Sequence, residues 1–366
     1  MNSAEATTKM ALCLPGGGAP GVMYQIGALA ALEHSSRAFR ANNFDIFVGS
    51  SSGATLAAGL AGGVKVERIY RSFLDPGDDF FPLERSHIMH PEAHAWAKSL
   101  RRAWRMMTQG SRGVMGRVMA NLSAGSTVEP WTEVEAIYQS LPPGLFSLEA
   151  YEELLGEVFT RRQIPQRFDQ LPAQLRILVH DLETGEGLAL GGPDAPDMPV
   201  PKACVASMAT PPLFAPIRYG ETSYFNPGPC QISHVDVAVA LGATVVVVVN
   251  PQVPILTGTD EAGFPRRGIR RRGALWVNNQ AGRIKLSYLI KRSSERAQQE
   301  GKAQVINISP DPSDDKLLLY NPMSYAQRRV ILEHAYLRTR DTFVERGQLG
   351  PWRVGVSEPG IVAGKE

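Results

Sequence analysis

The stretch Gly49-Ser50-Ser51-Ser52-Gly53 lies between the apolar run Phe44–Val48 and the Ala/Leu-rich segment Ala54–Ala61. It matches the pattern G-x-S-x-G, in which a sharp strand-to-helix turn lifts the central serine above a sheet. The first N–H groups of the following helix also stabilise a developing negative charge. Ser51 is therefore a candidate nucleophile, although small residues also occupy tight turns that have no catalytic role.

A glycine-rich turn lies nearer the N-terminus. The apolar run Met10–Leu14 ends in Pro15-Gly16-Gly17-Gly18, and a helical pattern of apolar residues follows it. Consecutive glycines leave N–H groups free to bind a phosphate or an oxyanion. The turn also matches the dinucleotide-binding pattern G-x-G-x-x-G. That pattern needs an acidic residue after the next strand, where this chain has serines, so an oxyanion site is favoured.

The alternation of these elements predicts the fold class. Two strand–turn–helix units within about fifty residues are typical of a parallel sheet with crossover helices. The segment from Asp75 to about Gln170 has no strand-like run and holds three of the five tryptophans. We predict an α/β fold with a mostly parallel sheet, helices on both faces and a helical insertion or lid. Further strands are expected at Leu175–Leu182, Thr244–Val249 and Ala303–Ile308, and a helix at Ser324–Arg346.

Composition excludes several classes of protein. The 366 residues carry 38 basic and 36 acidic side chains, a net charge of +2 that argues against a globally basic nucleic-acid binder. Three scattered cysteines are too few for a disulfide framework or a four-cysteine zinc site. No apolar run approaches the ~18 residues of a spanning helix, and the polar N-terminus is unlike a secretory signal. We expect a cytoplasmic protein without a cofactor, of open oligomeric state.

The glycine-rich turn and the serine turn together describe acyl transfer, and here the sequence resembles the patatin-like phospholipase family. The resemblance implies a three-layer α/β fold and a serine hydrolase acting on lipid esters. We predict a domain of this kind over residues 9–255. The resemblance does not explain its helical insertion or lid at about 75–170, nor the region after Pro251. Residues 256–366 would add a basic loop, a strand at 303–308 and a C-terminal helix on the core. The matching segments are 14–21, 26–29, 49–53, 175–185, 203–214 and Gly242-Ala243.

The resemblance also implies a Ser–Asp dyad and an oxyanion hole. Ser51 would be the nucleophile, and Gly16, Gly17 and Gly18 would supply the N–H donors. The ungapped stretch Tyr224-Phe225-Asn226-Pro227-Gly228 places Asn226 where the family has aspartate, within expected hydrogen-bond reach of Ser51. A second departure is Pro20, where the family commonly has arginine.

The asparagine leaves the activity open, because an amide is not a useful base near pH 7. One interpretation is an impaired hydrolase. Another is a catalytically silent lipid-binding or regulatory protein that keeps the shape of the site. A third is that the asparagine was introduced to inactivate the enzyme.

Other residues could carry chemistry. His234, Asp236 and Asp181 with its neighbour His180 are alternative bases, although lone residues of these types usually cap or hydrogen-bond. On a helix, His87, His90 and His94 would share one face that could hold a metal. Pro91 is expected to break such a helix, and a solvated or hydrogen-bonded face is favoured, so we predict no metal site. A cluster of basic residues near Trp276 could contact an anionic membrane, although such clusters are more often surface loops. The residues of this cluster are Arg266, Arg267, Arg270, Arg271 and Arg272.

Overall fold

A mixed eight-stranded sheet forms the centre of the protein. The computed structural model describes residues 8–75, 77–91, 96–101, 142–228, 232–256, 258, 268–319 and 327–353. The strands within these ranges are β1 (Met10–Leu14), β2 (Ile46–Gly49), β3 (His90–Pro91), β4 (Phe146–Ser147), β5 (Gln174–Asp181), β6 (Gly187–Leu190), β7 (Ile217–Tyr219), β8 (Thr222–Phe225), β9 (Val245–Val249), β10 (Gln304–Ile308), β11 (Gln348–Leu349) and β12 (Trp352–Arg353).

The strand order of the sheet is β10-β9-β1-β2-β5-β8-β7, and β6 also pairs with β5. The five strands from β10 to β5 are parallel, whereas β6 and β8 run antiparallel to β5. Leu14 at the end of β1 lies beside Gly49 at the end of β2. The carboxyl ends of parallel strands meet at one edge, so the turns after β1, β2, β9 and β10 lie along that edge.

Helices cover both faces of the sheet. They are α1 (Gly18–Ser35), α2 (Ser52–Ala61), α3 (Val66–Leu74), α4 (Arg85–Ile88), α5 (Glu149–Arg161), α6 (Val200–Met208), α7 (His234–Ala240), α8 (Ala274–Gln299), α9 (Asp315–Leu318) and α10 (Arg328–Arg346). Residues 96–101 are also helical. Single turns of 3-10 helix occupy Phe168–Gln170 and Ile269–Arg272.

The alternation of side chains along β1 shows how the layers form. Leu12 and Leu14 point into a core that they share with apolar residues of α1, α2, α5, α6 and α10. Ala11 and Cys13 point to the opposite face and pack with residues of α7 and α8. Successive residues of a strand face opposite sides of a sheet, so one apolar strand supplies both cores. The prediction of a mostly parallel sheet with helices on both faces is confirmed.

Element boundaries differ from the sequence predictions by a few residues. The second strand begins at Ile46 and not at Phe44, and the following helix begins earlier, at Ser52. The C-terminal helix begins at Arg328, and residues 320–326 lie outside the described ranges. Residues 102–141 of the predicted lid also lie outside them. Near the end of that segment, α5 packs into the main core through Tyr151 and Leu155.

Candidate active site

Ser51 occupies a strained turn between β2 and α2. Its φ of 53° and ψ of −133° lie in a region that residues with a side chain rarely adopt. The Ser51 N–H donates to Ser207 Oγ at 2.8 Å, and that hydroxyl donates to the Leu178 carbonyl at 2.6 Å. The turn is therefore tied to β5 through one buried serine. This is the geometry of a nucleophile elbow.

The glycine-rich loop lies directly against Ser51. A Cβ atom added to Gly16 would lie 2.3 Å from Ser51 Cβ and 3.0 Å from Ser51 Oγ. A Cβ atom on Gly53 would lie 2.1 Å from the Leu14 carbonyl oxygen at the end of β1. Real Cβ atoms do not tolerate such distances, so both positions exclude any larger residue. The two turns singled out in the sequence thus form one site.

The N-terminus of α1 offers free backbone donors beside this contact. The Gly16 N–H donates to Ser50 Oγ at 3.2 Å and is already used. The Gly17 and Gly18 N–H groups have no partner among the residues that the structure describes. No side chain caps the helix, and its first turn has no acidic residue. The positive end of the helix dipole and these donors favour a negative charge here.

Two glutamines that the sequence analysis missed hold the loop in place. Gln25 is fully buried, and its Nε2 donates to the carbonyls of Pro15 at 2.6 Å and Val249 at 3.0 Å. Gln252 Nε2 donates to the Gly16 carbonyl at 2.7 Å. The ends of β1 and β9 are thereby joined. A lone polar residue inside the apolar pattern of α1 was the available signal for Gln25.

Asn226 contacts the site through Ser207 and not directly. Its Nδ2 donates to the Ser207 carbonyl at 2.7 Å, and its Oδ1 accepts the Gly228 N–H at 2.8 Å. Both polar atoms of the amide are thus engaged. The direct hydrogen bond to Ser51 that we expected is not formed, and the amide is directed to the Ser207 carbonyl instead. Ser207 links the two residues, since its hydroxyl accepts the Ser51 N–H.

The alternative bases lie elsewhere. His234 is 3% exposed, and its Nε2 lies 3.0 Å from Ser50 Oγ, one residue before Ser51. Asp236 accepts from Ser293 and pairs with Arg296 at 2.7 Å. Asp181 Oδ1 accepts backbone N–H groups of the turn after β5. The adjacent His180 packs edge-on against Phe225. None of these four side chains hydrogen-bonds Ser51.

We expect His234 to make the fold sensitive to acid. Burial lowers its pKa to about 3, so the folded protein keeps the imidazole neutral. The unfolded chain binds the proton near pH 6.5, so stability is lost as pH falls below that value. The loss between pH 7 and pH 4 is about 3 kcal/mol, at about 1.4 kcal/mol per pH unit. Urea unfolding at both pH values should show this loss, and His234→Gln should remove most of it. An unchanged loss in His234→Gln would assign it to other groups.

The histidine and arginine clusters noted in the sequence lie partly outside the described ranges. His87 Nδ1 accepts the Glu84 N–H at 3.0 Å, His90 lies in β3, and His94 is outside the described ranges. No three potential metal ligands cluster in the part of the chain that is described. Arg270, Arg271 and Arg272 are exposed, with Arg272 5.2 Å from the Trp276 ring centre. Arg266 and Arg267 lie outside the described ranges. No helix in the described ranges could cross a membrane.

Solved structures resemble this chain distantly. A comparison with curated proteins gives no match. Among solved structures, VipD from Legionella pneumophila is 15% identical over 92% of this chain and 67% of its own, with a TM-score of 0.37. The type III effector protein ExoU is 17% identical over 93% of this chain and 53% of its own, with a TM-score of 0.34. The chain thus spans about two thirds of VipD and half of ExoU.

A family model gives the assignment. The model of the patatin-like phospholipases matches residues 12–240, which include the glycine-rich loop, the serine elbow and Asn226. This range is more than half of the chain, and it ends at the last residue of α7. The chain belongs to the patatin-like phospholipase family.

Proposed function

We propose that the protein hydrolyses acyl esters of lipids, with Ser51 as the nucleophile. The observation that carries the proposal is the contact between the Ser51 elbow and the glycine-rich loop at Gly16. The nucleophile and the free donors of Gly17 and Gly18 belong to adjacent turns at one sheet edge. Acyl transfer needs this pairing, because the attacked carbonyl oxygen becomes an anion while the serine attacks.

The reaction proceeds in two steps. Ser51 Oγ attacks the carbonyl carbon of the ester and loses its proton to solvent, and the N–H groups of Gly17 and Gly18 stabilise the oxyanion. The intermediate collapses to an acyl-serine, the ester C–O bond breaks, and the leaving alkoxide takes a proton from solvent to become the alcohol. Water then attacks the acyl-serine, which releases the fatty acid and restores the hydroxyl. In the described ranges no base hydrogen-bonds Ser51 Oγ. Both attacks therefore lack the rate acceleration that a general base gives, which is about 10²–10⁴-fold.

A fluorophosphonate probe tests the proposal directly. The probe phosphonylates an activated serine, and mass spectrometry identifies the labelled peptide. We expect the label on Ser51. An intact protein that remains unlabelled at Ser51, while a known serine hydrolase in the same tube reacts, would overturn the proposal.

A second candidate function is lipid binding without catalysis. The hydrogen bonds of Asn226 favour it, because the amide contacts the Ser207 carbonyl and the Gly228 N–H and, within the described residues, makes no hydrogen bond to Ser51. In this case lipid esters would bind to the protein, whereas the probe would not label Ser51. The labelling experiment therefore separates the two functions.

We also propose that the protein contacts phospholipid membranes through α8. Four large apolar side chains of this helix are exposed. Leu275 (55%) lies in its first turn, and the other three are Val277 (45%), Ile284 (51%) and Tyr288 (65%). Their spacing of seven and four residues puts them on one face, opposite the buried Leu286 and Ile290. We call this face the α8 stripe.

The surroundings of the α8 stripe indicate an anionic lipid surface. Exposed basic residues flank it, and each contributes roughly 1 kcal/mol near such a surface. They are Arg270, Arg271, Arg272, Lys285, Lys291 and Arg292. The same helix packs on the loop after β9, where Gln280 bonds Ile255 and Ser287 Oγ donates to the Gln252 carbonyl. Because Gln252 also holds Gly16, α8 lies near the candidate site.

Vesicle binding tests the α8 stripe. Ile284→Glu should weaken binding to phosphatidylcholine vesicles with 30% phosphatidylglycerol by about tenfold, since burying an isoleucine contributes about 1.5–3 kcal/mol. The matched control is Val330→Glu, because Val330 is equally exposed, at 51%, on α10. Co-sedimentation measures both. Equal losses in the two variants would contradict a specific role for the α8 stripe.

A further inference from the structure

A buried histidine connects the far side of the sheet to the candidate site. The helix α7 covers the face of the sheet opposite to α1 and α2, and His234 is its first residue. His234 Nε2 lies 3.0 Å from Ser50 Oγ. The same Ser50 Oγ accepts the Gly16 N–H at 3.2 Å. Two consecutive hydrogen bonds therefore join α7 to the glycine-rich loop.

The surroundings of His234 assign the proton of its imidazole ring. The Nδ1 atom is buried and has no hydrogen-bond partner among the described residues. A buried N–H group without an acceptor is rarer than a buried acceptor without a donor. The proton therefore belongs on Nε2, which donates it to Ser50 Oγ. Burial lowers the pKa of His234 to about 3, so the ring keeps this neutral form near pH 7.

The backbone around His234 is itself well fixed. Its carbonyl accepts the Cys13 S–H of β1 at 3.4 Å, and Ser233 Oγ caps α7 by accepting the Val235 N–H at 3.2 Å. Ser50 Oγ receives one N–H from His234 and one from Gly16, which together occupy both of its lone pairs. The position of the Ser50 hydroxyl is thus set from α7.

Gly16 is the residue through which these bonds reach the proposed reaction. Gln252 holds its carbonyl at 2.7 Å and Ser50 holds its N–H, so both polar atoms of Gly16 have a fixed partner. The fit is narrow, because a Cβ atom on Gly16 would lie 2.3 Å from Ser51 Cβ. The free donors of the oxyanion hole follow directly in the chain. A displacement of about 1 Å in such a site can cost about 10²-fold in rate.

We propose that His234 is a positioning residue for the oxyanion hole, and that it holds the glycine-rich loop against Ser51 through Ser50. The proposal rests on the hydrolase function proposed above and adds a residue to its site. Positioning requires an N–H donor at the place of Nε2 and no transfer of a proton. A general base must accept a proton, so substitutions of His234 separate the two roles.

Kinetics with p-nitrophenyl butyrate test the proposal. His234→Phe keeps a ring but removes the donor, and should lower kcat by at least about tenfold. KM should change less than about twofold, because the oxyanion hole acts on the transition state. His234→Gln keeps an N–H donor at similar reach but cannot act as a base, and its kcat should stay within about threefold of the wild type. Equal losses in both variants, or no loss in either, would overturn the proposal.

His34→Phe is the matched control for this substitution. His34 lies near the other end of α1, where its ring bonds Tyr336 at 2.9 Å and also Glu67. The same replacement therefore removes histidine hydrogen bonds away from the glycine-rich loop. Its kcat should stay within about twofold of the wild type, and urea unfolding shows that each variant is folded under the assay conditions.

Ser50→Ala breaks the same connection one residue closer to the loop. Its kcat should fall as far as that of His234→Phe, which keeps the test valid if His234→Phe does not fold. In the Ser50→Ala background, His234→Phe should lower kcat by less than about a further twofold, because both side chains act on one path. Independent, multiplicative losses in the double variant would contradict that path.

Amide hydrogen exchange at Gly16 gives a readout that needs no turnover. In glycine-labelled protein followed by NMR, the Gly16 N–H should exchange at least about tenfold faster in His234→Phe than in the wild type or His34→Phe. Unchanged exchange would overturn the proposal. If Ser51 is not labelled by the fluorophosphonate but exchange depends on His234, the hydrolase function fails and the hold on the loop stands. If Ser51 is labelled but neither exchange nor kcat changes, only the role of His234 fails.

Discussion

Replacement of Ser51 by alanine is expected to reduce hydrolysis of a short p-nitrophenyl ester by about 10²–10⁴-fold. Loss of the nucleophile from a complete serine hydrolase costs about 10⁶ in kcat. The wild type already lacks a general base, and this lack costs about 10²–10⁴ in rate. Loss of the serine should therefore cost only the rest of the 10⁶-fold factor. The free donors of Gly17 and Gly18 remain in Ser51→Ala and support only residual catalysis.

Ser52→Ala is the matched control for this experiment. Ser52 is the next residue in the chain, it is buried, and its hydroxyl has no hydrogen-bond partner in the described ranges. Its removal should leave the turnover within about twofold of the wild type and should not affect labelling of Ser51. If Ser51→Ala hydrolyses the ester as fast as Ser52→Ala does, Ser51 is not the nucleophile.

The two turns that form the site could be predicted because their signals are local. Met10–Leu14 and the strand before Gly49 are apolar runs that end in glycine, and each is followed by a helical pattern. Parallel pairing then brings the two turns together, since strand ends of one direction meet at one sheet edge. The structure places Leu14 beside Gly49, as this reasoning requires.

The contacts around the site could not be predicted, because they join residues far apart in the chain. Ser50 and His234 are 184 positions apart, and Ser51 and Ser207 are 156 apart. A single serine or histidine has no periodicity that would reveal its partner. The position of Asn226 was predicted from the spacing of the family motif. Its hydrogen-bond partner was not, because the partner depends on the side-chain rotamer that reaches the Ser207 carbonyl in the folded protein.

Arg283 of α8, which is 7% exposed, is an intermediate case. In the sequence it is one of many basic residues between Phe264 and Lys302, which together suggest a solvated surface. Its spacing to Leu286 and Ile290 is three and seven residues, and these two side chains are buried against the sheet. The helical phase therefore contained the information that Arg283 points inward. This signal is easily missed, because the charge of a side chain predicts exposure more strongly than its position in the helical period predicts burial.

Asn226→Asp is expected to raise turnover of the same ester at least tenfold, because it supplies the missing base. The gain depends on a rearrangement, since a carboxylate cannot replace the Nδ2 donor to the Ser207 carbonyl and must turn away from that oxygen. Loss of the bond should destabilise the fold by about 1–3 kcal/mol at neutral pH.

The stability of Asn226→Asp is expected to depend on pH in a way that identifies the new carboxyl group. Only the protonated carboxyl of Asn226→Asp can donate to the Ser207 carbonyl, so folding raises its pKa above the unfolded value. Below about pH 4 the free energy of unfolding of Asn226→Asp should therefore equal that of the wild type. As pH rises through the pKa of this carboxyl in the folded protein, the variant should become less stable than the wild type. Asn226→Ala should lose stability at every pH and gain no activity.

In the Ser51→Ala background the rate gain of Asn226→Asp should vanish. A wild type that already turns over briskly, with no gain in Asn226→Asp, would mean that another base serves Ser51. The first candidate would then be His234, acting through Ser50, because its imidazole lies 3.0 Å from the hydroxyl next to the nucleophile.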